Sequence, residues 1–204
     1  LPHKKVLETG NPVRWQRLPD APKDEKFTLL IFGGSAGAHR INEAVLDALE
    51  QITDLASHLR IVHQTGAADF SAISKAYQAL PFDAEALPFI DRMDDAYARA
   101  DLVLCRAGAT TVAELTAFGK AAILIPYPYA IYDHQRWNAQ ALADKGAAEV
   151  ILDQELNGAE LALRLRDYLA DRKKIATMAR AALAMGRPEA AARIVDECYA
   201  LAQV

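Results

Sequence analysis

Short apolar runs alternate with segments of helical period along most of this chain, and that alternation decides what it can fold into. The apolar runs predict strands at 27–32, 59–63, 87–90, 102–105, 122–126 and 148–152. Helical patterns fill the stretches between them, up to about residue 51 and at about 69–80, 94–99, 110–118 and 134–145. Three more follow the last strand, at about 158–170, 172–184 and 188–202. Strands joined through helices of about ten residues run parallel, because a tight hairpin cannot carry such a connection. The expected fold is α/β, a Rossmann-like, doubly wound parallel sheet of about six strands in the order 3-2-1-4-5-6. That order places the switch point between the first and fourth strands. The turns after them, 33–37 and 106–111, should flank one crevice, and they are the two turns richest in glycine and alanine.

The remainder of the chain suggests how this domain is framed. Leu1-Pro-His-Lys-Lys lacks an initiator Met and an early structural element, and Thr9-Gly-Asn-Pro-Val-Arg14 reads as a turn after a short strand. A Pro- and Lys-rich stretch follows at 18–26. Residues 1–26 are thus expected to be the connector end of an absent N-terminal domain. Residues 27–187 form the Rossmann-like domain, and 188–204 a C-terminal helix directed toward the absent domain. A formal charge of -4 argues against a nucleic-acid partner. Cys105 and Cys198 match no metal or redox spacing, which favours a reducing, cytoplasmic setting. The most apolar run, 121–131, is broken by Pro126 and Pro128 and is too short to span a bilayer.

Three motifs lie on the rim where ligands bind in such sheets. Gly33-Gly-Ser-Ala-Gly37 ends a strand and opens a helix. Gly34 and its neighbours allow close backbone approach, Ser35 offers a hydroxyl, and a helix N-terminus favours an anion. The turn is not a G-x-G-x-x-G, and the second strand ends in His63-Gln-Thr with no acidic residue, which disfavours NAD or FAD. Gly108-Ala-Thr-Thr-Val-Ala-Glu114 has the same strand–turn–helix placement, with Thr110 or Thr111 expected to cap the helix. Glu114 would complement the helix dipole in the plain reading; on the rim, its two acceptor oxygens suit the vicinal hydroxyls of a ribose. The third motif is Tyr127-Pro-Tyr-Ala-Ile-Tyr-Asp-His-Gln-Arg-Trp-Asn138, a proline-stiffened loop with Asp133 as the expected N-cap. Gln135 and Asn138 share a helix face and can bond a polar ligand. His134 reads as a surface histidine, Trp137 as packed on the sheet and His63 as a satisfied core residue. Arg14 reads as a solvated charge, and Asp91, Asp94 and Asp95 as a solvated helix start. No metal is expected, since no D-x-D pair follows a strand. A phosphate turn, a diol-binding carboxylate and an amide-rich loop together look like half of a nucleotide-sugar site.

In this order and spacing, four pieces resemble the MurG family of peptidoglycan N-acetylglucosaminyltransferases, which convert lipid I to lipid II. They are Gly-Gly-Ser-x-Gly-Ala with Asn42, Phe89-Ile-Asp91, Arg106-x-Gly-Ala-x-Thr-x-x-Glu114, and Asp133-His-Gln-x-x-Asn-Ala139. The likeness runs through the C-terminal half of those enzymes and covers nearly this whole chain. It implies one half of a two-domain GT-B fold, the half that binds UDP-N-acetylglucosamine. By motif it places Ser35 on the diphosphate, Arg14 on the nucleotide and Ile90 on the uracil edge through its backbone. It wraps Ala109, Thr110, Thr111, Val112 and Ala113 around the donor and sets Glu114 on the ribose. Gln135 would hold the sugar hydroxyls, with Gly34, His134 and Asn138 as neighbours. Ala36, His39, Ala107 and Tyr129 depart from residues common in the family, where Gln, Arg, Ser and His stand.

The implied mechanism is inverting, without metal or cofactor. The catalytic base, the grip on the undecaprenyl-linked acceptor and the membrane-docking surface would all belong to the absent domain. The full-length protein would sit peripherally on the cytoplasmic face of the inner membrane, and these 204 residues alone would bind donor without catalysis. The alternatives are a naturally separate donor-binding subunit, a non-catalytic nucleotide-binding domain, and a related enzyme such as a UDP-sugar epimerase or a diacylglycerol glycosyltransferase.

Overall fold

The computed structural model describes residues 6–15, 17–20 and 25–202. The opening Leu1-Pro-His-Lys-Lys, residues 21–24 of the connector and the last two residues of the chain lie outside the described residues. A six-stranded sheet has the order β3-β2-β1-β4-β5-β6, all neighbours parallel. Its strands are β1 (Phe27–Phe32), β2 (Leu59–Gln64), β3 (Asp83–Leu87), β4 (Leu102–Cys105), β5 (Ala121–Leu124) and β6 (Glu149–Val150). The intervening helices are α1 (His39–Glu50), α2 (Phe70–Ala79), α3 (Met93–Arg99), α4 (Ala109–Ala117) and α5 (His134–Ala143). Then come α6 (Gly158–Ala170), α7 (Arg172–Ala184) and α8 (Ala190–Ala202). The order is the one that the strand–helix alternation predicts.

β1 is buried along its whole length because helices cover both faces of the sheet. Phe27, Leu29 and Ile31 pack with Ile41, Val45 and Leu49 of α1 and with Leu161 and Leu165 of α6. On the other face, Leu30 and Phe32 join Val103, Cys105, Tyr97, Leu115 and Leu142. Helix α1 suits its place, with Ile41, Ala44, Val45, Ala48 and Leu49 buried at helical spacing. Asn157 caps α6 by accepting from the Glu160 amide at 2.9 Å.

Several local expectations need correction. The third strand is 83–87, not 87–90: Asp-Ala-Glu-Ala-Leu is a half-exposed edge, and Pro88, lacking an N–H, cannot extend the ladder. No strand forms among the described residues 6–15. Gly108 occupies the N-cap of α4, so Thr110 and Thr111 lie within its first turn and neither caps it. Asp133 does precede α5, but with φ 56° and no side-chain cap bond. Trp137 is 68% exposed instead of packing on the sheet, since Ala139 and Leu142 take that face of α5. Asp94 is buried and held by Arg92 at 3.0 Å rather than solvated.

The start of the described chain meets the start of α8. Arg187 pairs with Glu8 at 2.7 Å, and Gly10 fits against Arg187 and Ala190 at the start of α8. Beyond Ala190, α8 is largely exposed, with Val195, Tyr199 and Leu201 on its surface.

Beneath the first and second turns lies a polar network that fixes its own protons. Both amide hydrogens of Asn42 are used, on the Thr65 carbonyl (2.9 Å) and on Asp69 (2.7 Å). Its oxygen therefore accepts from His63 Nε2 (3.0 Å), which leaves His63 Nδ1 to accept from the Tyr77 hydroxyl (2.6 Å). His63 is the satisfied core residue that the sequence suggests. Burial lowers its pKa from 6.5 to about 4. The unfolded chain then binds more protons than the folded one between those values, so stability falls as pH drops through that window. The expected loss is roughly 3 kcal/mol. Urea unfolding at pH 7 and pH 4.5 should show it for the unmodified chain, while His63→Gln should flatten that part of the profile; parallel profiles would contradict the assignment.

Candidate functional site

Apart from Arg14 in the connector, the residues of interest lie in the turns and helix starts that follow the strands. After β1 the chain makes a turn, 33–38, in which Gly34 and Gly37 take φ of +104° and +81°. The Gly37 amide closes it on the Gly34 carbonyl at 3.0 Å. Gly37 meets the turn after β2 backbone to backbone: a Cβ on it would collide with the Thr65 carbonyl, and one on Gly66 with the Ala36 carbonyl. Ser35 is left exposed beside this contact.

After β4, the residues 106–108 lead into α4. Val112 is the first amide of this helix to bond back, to Gly108 at 2.9 Å. The N–H groups of Ala109, Thr110 and Thr111 therefore have no intrahelical acceptor, and no side chain caps them. Such an end suits an anion. One turn on, Glu114 is buried, and Oε2 accepts from the Tyr97 hydroxyl at 3.0 Å. Tyr97 is itself fixed between Phe32 and Phe118, at centroid distances of 6.1 and 5.9 Å. Burial raises the Glu114 pKa, and the Tyr97 hydrogen bond and the Arg14 charge partly offset it. Arg14 thus acts electrostatically on Glu114 across 100 residues of sequence, while its guanidinium lies 5.4 Å from the ring of Trp15. Val112 and Ala113 complete this turn of α4, half-buried.

Loop 126–133 and α5 close the other side. Gln135 Oε1 accepts from the amides of Ala107 (3.1 Å) and Tyr127 (3.0 Å), and Asn138 donates to the Ala107 carbonyl at 3.0 Å. The shared helix face predicted for this pair thus grips the turn after β4, leaving the Gln135 amide hydrogens for other partners. His134 is exposed and donates through Nδ1 to the Ile131 carbonyl at 2.7 Å. Gly33, Gly37, Arg40, Arg106, Gln135 and Asp153 line a groove of about 490 Å³. The turns after β1 and β4 flank one crevice, as the topology requires. Glu114, with Tyr97 and Arg14, forms a second cluster, and Ile90, buried on the loop after β3, a third.

Residues that the sequence did not single out hold these clusters. Asp153, after β6, pairs with Arg106 at 2.5 Å and Arg40 at 3.1 Å. Arg106 also donates to the carbonyls of Ile125 and Pro126 and lies 5.5 Å from the Tyr127 ring. Gln64 spans from the Gly34 carbonyl to the Ile90 amide, at 2.8 Å each. An Arg closing a strand at the switch point was the one available signal; nothing local marks Asp153, Tyr97 or Gln64.

The pattern that defines the glycosyltransferase family 28 C-terminal domain matches residues 28–194. The chain is 49% identical over 204 residues to the UDP-N-acetylglucosamine–N-acetylmuramyl-(pentapeptide) pyrophosphoryl-undecaprenol N-acetylglucosamine transferase of Geobacter metallireducens, covering 97% of this chain and 56% of that protein. The enzyme of the same name from Myxococcus xanthus is 46% identical, over 98% and 54%. The crystal structure of Acinetobacter baumannii MurG superposes with a TM-score of 0.76 at 38% identity, over 87% of this chain and 53% of that one. The chain spans about half the length of the curated relatives it matches. It belongs to glycosyltransferase family 28, as a C-terminal domain of that family.

Proposed function

We propose that this chain binds UDP-N-acetylglucosamine as the donor half of an inverting, metal-independent N-acetylglucosaminyltransferase that makes lipid II from lipid I. The observation that carries this is the pairing of an uncapped helix end with a carboxylate one turn on: the free amides at 109–111 and, behind them, Glu114 held by Tyr97. The first suits a diphosphate, the second a ribose diol. Ser35 then meets the diphosphate from the facing turn, and Arg14 meets the nucleotide from the connector. The Gln135 amide hydrogens are directed to the sugar hydroxyls, with Gly34, His134 and Asn138 beside them. The backbone of Ile90 reads the uracil edge. As the donor bond breaks, the amides stabilise the departing UDP without reorganising. Names borne by the relatives favour the same chemistry.

In this proposal the catalytic base and the site for the undecaprenyl-linked acceptor lie in the part of the relatives that this chain does not span. The full-length protein works as a peripheral enzyme on the cytoplasmic face of the inner membrane; among the described residues, no helix is long and apolar enough to cross it. The connector 1–26, the donor domain 27–187 and the crossing helix 188–204 keep the roles that the sequence suggests for them.

Calorimetric titration with UDP, UDP-N-acetylglucosamine, UDP-glucose and NAD tests the donor assignment. UDP-N-acetylglucosamine should bind best, and Glu114→Gln should weaken it about 10- to 100-fold, the value of a hydrogen bond to a charged group. Equal binding of all four, or none, would sink the proposal. Affinity should also fall as pH drops through the raised Glu114 pKa, since protonation removes acceptor capacity. Tyr97→Phe removes the bond that lowers this pKa, so the loss should begin at higher pH in that variant; an unmoved midpoint would exclude the arrangement. With lipid I supplied, the 204-residue chain should transfer no sugar. Any turnover would place the base on this chain.

A further inference from the structure

The turn after β1 passes directly into α1, and the first residue of that helix is His39. Its exposed ring lies between two carboxylates. Nδ1 stands 3.1 and 3.0 Å from the two oxygens of Asp69, and Nε2 3.2 Å from an oxygen of Glu43. A neutral imidazole has one N–H and one lone pair, so in either tautomer one nitrogen turns its lone pair on a carboxylate. The imidazolium donates from both nitrogens and satisfies both partners. The Asp69 hydrogen bond, with the charges of Asp69 and Glu43, accordingly holds the His39 pKa above its ordinary 6.5. The neighbouring cations are engaged elsewhere: Arg40 and Arg106 pair with Asp153, and burial keeps His63 of β2 neutral at pH 7.

That charge bears on the groove in two ways. Asp69, at the head of α2, also accepts from Asn42, whose other amide hydrogen goes to the Thr65 carbonyl. Thr65 and Gly66 lie against Ala36 and Gly37 with no room for a Cβ between them, so the head of α2 and the turn after β1 cannot shift independently. Ser35, proposed to meet the diphosphate, sits on that turn. His39 also lines the same groove as Gly33, Gly37, Arg106 and Gln135. With its ring neutral, Asp69 and Glu43 stand at the groove without their counter-charge, and they repel an entering diphosphate. We propose that His39 is a positioning residue for the donor diphosphate: as the imidazolium it ties the head of α1 to that of α2 and offsets Asp69 and Glu43, and loss of its proton weakens the grip on donor. The proposal rests on the donor assignment above.

The test measures the affinity of the 204-residue chain for UDP-N-acetylglucosamine by calorimetry between pH 6.5 and 8.5. This ligand suits the range because its diphosphate, esterified at both ends, does not titrate there. Affinity should fall about threefold or more as pH rises across the window, and His39→Gln should be weaker at pH 6.5 and flat. The trend is opposite in sign to that of Glu114, which weakens binding as pH drops. By linkage, the same threefold requires bound donor to raise the His39 pKa by about half a pH unit, read from its imidazole proton resonances in the unmodified chain. A ring that only braced the fold would make stability depend on pH and keep one midpoint with and without donor. An affinity that does not fall, a fall that persists in His39→Gln, or a His39 midpoint that donor leaves unmoved would overturn the proposal. Should the variant fail to fold, the resonances of the unmodified chain decide. Failure of the unmodified chain to bind UDP-N-acetylglucosamine at any pH would instead overturn the donor assignment.

Discussion

Parallel hydrogen bonding along both edges of β1 is the constraint on which the rest depends. β1 pairs with β2 through six residues and with β4 through four, and the chain leaves it in one direction before returning on the other side. The turns after β1 and β4 must then part, and their divergence opens the crevice. Because helices cover both sheet faces, β1 carries no polar residue toward solvent, and all chemistry is displaced to the strand ends. The site is a by-product of the winding, to which particular side chains were then fitted.

Those side chains work mainly on the backbone. Gln64, Gln135, Asn138 and Arg106 spend most of their hydrogen bonds on amides and carbonyls of neighbouring turns. Each turn is short of internal bonds, so a buried amide or guanidinium from elsewhere sets its shape. Buried polar groups of this kind contribute little net stability when satisfied but are costly when one partner is removed. They specify one arrangement of the rim. The Arg106–Asp153–Arg40 cluster does the same for the turn after β6, where a lone buried charge would be expensive.

How far the sequence revealed this follows from the range of the forces involved. Period and composition are local, so the α/β class, the strand order and the two flanking turns were legible. The weakest strand was misplaced, because Asp-Ala-Glu-Ala-Leu alternates with small residues and lacks the apolar density of a central strand. Trp137 and Asp133 misled for a different reason. The loop before α5 sets Tyr132 and Asp133 at positive φ, so Asp133 makes no side-chain cap, and the small Ala139 with Leu142 takes the buried face of α5 in place of Trp137. The place of Glu114 near the start of α4 is legible because it is a local fact. Tyr97, Gln64 and Asp153 act over 17, 26 and 47 residues of sequence, a separation that no periodic pattern encodes.

The outward-facing Trp137 also affects how this molecule presents itself to light. The chain has two tryptophans, Trp15 and Trp137, and neither belongs to the hydrophobic core. One lies against the Arg14 guanidinium and the other on the helix that carries Gln135. In most domains an indole is sunk among apolar side chains and its emission reports folding. Here Trp15 is half-buried on the connector and Trp137 exposed at the start of α5, so the intrinsic emission of the protein reports on these two surface segments more than on the packing of the sheet.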